Sequence, residues 1–258
     1  MLTGGVVWCI QLAQFYKREK SRERMPNNGL IAGSLHPPGH FREFLFPYHP
    51  YFLQAYRMTR LLVFLIAGWS GFFTMTVELL SGRYLAPTFG GSIHVWGGII
   101  AVFMLALAAG YLAGGRLSIN EPSLRKLALI LLLAATTITP VILFGDRIVD
   151  MIASALPDPR YGSMTATTAL FFAPTMFAGM VSPYAVRLLI DEHSLSGQCA
   201  GRLYFVSTFG SAAGTLITSF YLVLYLEIFQ IIWALVGISA TVALATTMYR
   251  MAQHEPTA

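Results

Sequence analysis

The 258-residue sequence is 55% hydrophobic and 11% charged, with 17 Lys and Arg against 12 Asp and Glu, for a formal charge of +5. So small a charged fraction, against roughly a quarter in soluble domains, excludes an ordinary water-exposed surface. The apolar residues gather into blocks as long as the 20 or so residues that a bilayer-spanning helix needs. The cations border these blocks, so the basicity reads as membrane orientation and not as nucleic-acid binding. The two cysteines, Cys9 and Cys199, offer neither a disulfide framework nor a metal-ligand spacing.

Residues 1–58 read as a basic cytoplasmic or interfacial arm. Lys17, Arg18, Lys20, Arg22 and Arg24 form a run, followed by a Pro-, Gly- and His-rich stretch over 26–50. The apolar stretch over 6–13 is short and precedes its charges, the reverse of a secretory signal peptide. Phe41, Phe44, Phe46, Tyr48, Tyr51, Phe52 and Tyr56 suit an amphipathic segment at the headgroup level. An upstream extension with little structure is the alternative.

From there the fold class is all-α, a polytopic membrane domain over 59–250 followed by a short cytoplasmic tail over 251–258. Apolar blocks predict six transmembrane helices near 61–82, 93–115, 124–144, 165–188, 203–225 and 228–249. Between the third and fourth, Asp146, Arg147, Asp150, Asp158 and Arg160 predict a mixed-charge outer loop with room for a short surface helix. With both termini cytoplasmic, fourteen of the seventeen Lys and Arg fall on the inner side and only Arg83, Arg147 and Arg160 on the outer, as the positive-inside rule demands.

Lipid gives helices no hydrophobic reason to associate, so small residues mark where backbones approach. Ala106, Gly110 and Gly114 form such a ridge on the second span. Gly210 and Gly214 form one on the fifth, beside a polar file of Ser207, Ser211, Thr215 and Ser219. These ridges place the second and fifth spans in the middle of the bundle. The file reads either as packing or as the lining of a polar path. Pro140, Pro174 and Pro183 each remove a backbone donor in or near a span and can kink it.

Ionisable groups in hydrocarbon are functional candidates by default. Glu78, late in the first span, has Arg83 and His94 as its nearest partners by topology. Arg187, Asp191, Arg202 and Arg116 predict a cluster at the opposite face. Both groups also read as charges at helix ends that snorkel to headgroups or close ion pairs. The sequence contains no Ser/His/Asp order, no metal-spaced His or Cys set and no phosphate-cradling glycine loop. No catalytic, cofactor or metal site is therefore assigned, and the chain is not read as an enzyme.

Three ordered stretches, from Glu78 to Gly98, from Gly179 to Leu188 and from Gly197 to Thr215, together resemble the membrane-embedded half of bacterial fused spermidine-synthase-like proteins, also described as major-facilitator/spermidine-synthase proteins. The resemblance covers about residues 61–249. It implies a bacterial inner-membrane location and carries over Glu78, Arg83, Gly90, Trp96, Pro183, Arg187, Arg202 and Gly210 as motif positions without a stated role. In that family a soluble aminopropyltransferase-like domain follows, and nothing in this sequence matches its nucleotide loop or its diamine-binding acids. A weaker similarity links Gly110 to Ser118, with Arg125 and Lys126, to the loop between the second and third helices of major-facilitator transporters. The customary acidic residue is absent. Gly82-Arg83 and Gly201-Arg202, each preceding a Thr-Phe-Gly, hint at an inverted repeat. The expected function is a non-catalytic membrane module, an anchor or complex subunit with membrane lipids, a separate protein or further copies of itself as partners and no nucleic acid. The alternative is a small polyamine permease acting as an oligomer.

Overall fold

The computed structural model describes residues 49–119, 122–189 and 196–252. All but His49 belong to one compact unit, Pro50–Ala258. The arm before His49, Asp191 of the expected inner cluster and the tail from residue 253 lie outside the described residues. Among the described residues the elements are all helical. They are α1 (His49–Phe89), α2 (Ile93–Leu117), α3 (Leu124–Thr137), α4 (Thr139–Ala155), α5 (Pro159–Leu189), α6 (Ser196–Ile217), a π-helical turn (Thr218–Leu222), α7 (Val223–Tyr225) and α8 (Ile228–Ala252). α3 and α4 continue as one apolar stretch, as do α6, the π turn and α7. Six stretches are thus long and apolar enough to cross a bilayer. By length and hydropathy this is a multi-pass membrane protein.

Local chemistry sets the boundaries. α1 runs to Phe89, well past the expected end near residue 82, and stops at Gly90, whose φ of 81° is the left-handed conformation that favours glycine at a helix end. Its N–H closes the helix on the Ala86 carbonyl at 2.8 Å. The third crossing departs further from expectation. The apolar stretch runs over Leu124–Ala155, so Asp146, Arg147 and Asp150 lie on α4 and not in a loop. Two features explain this. Pro140 sits in the first turn of α4, where no N–H is needed. Val141, Gly145 and Val149 then recur every fourth residue as a buried stripe, leaving the charges on the exposed face. α5 keeps Pro174 and Pro183 inside one helix of 31 residues. Pro183 leaves the Gly179 carbonyl without its helical donor. One residue away, the Ser70 hydroxyl of α1 donates to the Ala178 carbonyl at 2.9 Å.

α1 is the hub of the bundle. Its Gly82 faces the Trp96 ring of α2, Tyr84 meets Asp146 of α4, Ser70 meets α5, Gly68 and Phe72 lie against Gly210 and Gly214 of α6, and Trp69 Nε1 donates to Ser239 Oγ of α8 at 2.8 Å. α2 and α5 pack in a constant parallel register, Gly98 beside Met164, Gly110 beside Met176 and Gly114 beside Met180. This corrects the expected middle of the bundle. In the most apolar stretch of the fifth crossing 11% of residues are buried, against 50% in α1 and 56% in α5. The fifth crossing is peripheral, and the first and fourth are central. Hydroxyl and indole bonds between helices contribute about 0.6 kcal/mol each in a bilayer.

Candidate functional site

Glu78 lies five residues before Arg83 on α1, about 8 Å along the axis at 1.5 Å per residue. Arg60 and Arg83 are separated by about 35 Å on the same measure, a little more than the hydrocarbon thickness of about 30 Å. Glu78 is thus inside the apolar zone, toward one end. It is half-buried, and its carboxylate makes no hydrogen bond or ion pair among the described residues; only its backbone carbonyl is engaged, by Ser81 Oγ at 2.7 Å.

The partners expected for Glu78 are turned elsewhere. Arg83 Nη1 donates to the Val223 carbonyl at 2.8 Å, tying α1 to the end of the π turn. His94 is exposed in the first turn of α2. Trp96 lays its ring over Gly82, where a methyl group would collide with it. Beside them Tyr84 donates to Asp146 Oδ1 at 2.6 Å, and Gly145 makes space for the phenol. The Phe229 ring of α8 stands edge-on to Tyr84 at 6.2 Å. The end of the bundle near Glu78 is thus a set of inter-helix ties around one carboxylate that joins none of them.

The hydroxyls of the fifth crossing have ordinary outlets. Ser211 Oγ donates to the Ser207 carbonyl and Thr215 Oγ1 to the Ser211 carbonyl, each one turn back on the same helix. Ser207 and Ser211 press against Gly71 of α1, and Ser219 is exposed. The file therefore packs at its start and faces outward at its end. Continuing the α1-facing line, Thr218 and Thr76 pair hydroxyl to hydroxyl at 2.9 Å, both fully buried. Thr218 opens the π turn, whose wider hydrogen bond joins Val223 N–H to the Thr218 carbonyl.

At the opposite end Arg116, Arg187 and Arg202 are all exposed, so the structure does not gather them into a buried cluster. What it does gather there is Tyr184. Fully buried, its hydroxyl accepts from Ser123 N–H at 2.9 Å, while Ser123 Oγ accepts from Lys126 N–H to cap α3. The sequence assigns no packing role to Tyr184, Gly82, Gly179 or the Thr76–Thr218 pair. Gly82 and Tyr184 fall inside quoted motifs, and Gly179 opens one, but Thr76 has no signal beyond being polar in an apolar span.

No protein-family model, curated protein or solved structure matches this chain. Among the described residues no three His, Cys, Asp or Glu side chains group as a metal ion would require. What this arrangement can do chemically is hold helices together at both ends, and present one membrane-embedded carboxylate.

Proposed function

We propose that the chain is a non-catalytic membrane module, an anchor or subunit for another protein, of the kind its motifs resemble in spermidine-synthase-like proteins. The observation that carries this reading is the use made of its polar side chains. Arg83, Tyr84, Thr76, Ser70, Trp69 and Tyr184 each bond across to another helix or to its cap, so the polar groups are spent on a fixed scaffold. Such a scaffold presents surfaces and does not need to change shape. Cross-linking in intact membranes followed by purification in mild detergent tests the reading. The expected product is a discrete species with a stoichiometric second protein, and a chain that always runs alone would count against it.

We place both ends on the cytoplasmic side of a bacterial inner membrane, as the Lys and Arg distribution supports. With Cys9 and Cys199 changed to Ser, a cysteine at position 160 is then labelled from outside the cell and one at position 116 is not. Glu78 favours a second reading, a small permease for a cationic substrate such as a polyamine. A half-buried carboxylate without a partner among the described residues is costly to keep in a membrane unless it meets a cation. Spermidine uptake into proteoliposomes separates the readings. The permease shows saturable uptake that Glu78→Gln abolishes, and the anchor shows none in either form.

A further inference from the structure

An apolar groove of about 580 Å³ lies between α1, α6 and α8. Its α1 wall runs from Leu61 to Phe72, its α6 wall includes Phe209 and Ala213, and Val242 and Ala245 of α8 complete the lining. It is an open feature: Leu65 and Phe209 are 56% and 66% exposed. From Leu61 to Phe72 the helix rises about 16 Å, which is about half of a hydrocarbon core of roughly 30 Å and so the depth of one leaflet.

The groove has a charged end. Arg57 lies one turn before Leu61 on α1, and Arg202 one turn before Val206 on α6; both are exposed. The parallel register that sets Gly68 against Gly210 and Phe72 against Gly214 brings Arg202 level with Arg60, within a turn of Arg57. An apolar channel one leaflet deep with two exposed arginines one helical turn beyond its end matches a molecule with an anionic head and an acyl tail. A neutral lipid would satisfy the channel and leave the mouth unmatched. A helix from a second copy would bring apolar side chains to the groove but no anion to the arginines.

We infer that this groove binds an anionic phospholipid from the surrounding leaflet, its acyl chain along Leu61 to Phe72 and its phosphate on Arg57 and Arg202. The site is independent of whether the chain serves as an anchor or a permease.

The experiment uses the full chain in mild detergent, titrated with phosphatidylglycerol or with phosphatidylcholine of the same acyl chains, and read by native mass spectrometry and thermal unfolding. Two arginines at the surface predict a preference of about thirtyfold for phosphatidylglycerol, which is about 2 kcal/mol. Arg57→Gln with Arg202→Gln brings the preference close to one. Ala213→Phe, which fills the groove and leaves the charges, weakens binding of both lipids. Equal binding of the two lipids by the native chain, or an undiminished preference in the arginine double variant, overturns the assignment. The arginine pair is exposed, so its variant folds and decides the matter even where Ala213→Phe does not. A photoreactive side chain at position 209 identifies the occupant directly. A lipid adduct supports the proposal, and an adduct to a second copy or to residues 1–48 of the same chain overturns it.

Discussion

The α2–α5 contact and the α1–α6 contact are built from the same device and have different outcomes. In each, two glycines four residues apart let one backbone settle on the carbonyls of another: Gly110 and Gly114 on Met176 and Met180, Gly210 and Gly214 on Gly68 and Phe72. α2 and α5 meet along most of their length, from Gly98 to Gly114, and Gly179 of α5 opens a second close approach to Leu107. α6 touches α1 closely over a shorter distance and leaves an apolar groove beside the contact. A small-residue ridge therefore marks where two backbones touch. It does not say how many neighbours a helix has.

The largest expected effect tests the tighter contact. Gly110→Leu drives a side chain into the Met176 carbonyl between two helices held over many turns, and overpacking of that kind costs about 3 kcal/mol. Thermal unfolding in detergent should show a large fall in Tm or loss of the monodisperse species. Gly210→Leu meets the Gly68 carbonyl in the same way, but α6 can retreat toward lipid, so the cost is about 1 kcal/mol. Equal losses from the two substitutions would erase the distinction between a clamped helix and a peripheral one. Smaller still is Ser70→Ala, which removes the bond to Ala178 across the hub and costs about 0.6 kcal/mol. Trp69→Phe removes the bond to Ser239 by the same order, and the two losses should add if the ties are independent. The smallest is Glu78→Gln. It breaks no bond among the described residues, so Tm should stay level or rise, and a clear fall would reveal a partner for the carboxylate.

The six crossings were legible because apolar length is a property of composition, and a span needs little else. Their neighbours were less so. Gly110 and Gly210 announce close approach equally well, and only the packing of every helix around α1 decides that the second of these faces lipid on its other side. The mixed-charge segment after residue 144, expected as a loop with room for a short surface helix, continues the third crossing as a helix because Val141, Gly145 and Val149 supply a buried stripe beneath the charges. The site was legible in part. Glu78 stood out as an acid in an apolar block, but that it meets neither Arg83 nor His94 depends on rotation about α1 and on the Val223 carbonyl, neither of which is written in spacing. Tyr184 and Thr76 carry no local signal in the sequence because their partners are 61 and 142 residues away.

The π turn at Thr218–Leu222 has a bearing on how this chain can lengthen and shorten. A π turn is an α-helix carrying one extra residue, and each residue in an α-helix advances the face by about 100°. Removing a residue after Thr218 would return the turn to the α-helical pattern and keep Gly210, Gly214 and Thr218 on α1. Removing one earlier, between Gly210 and Gly214, would swing one of the glycines away from α1. The fifth crossing thus has a place where a codon can be lost at little cost, between the Thr76–Thr218 pair and the Arg83 tie to Val223.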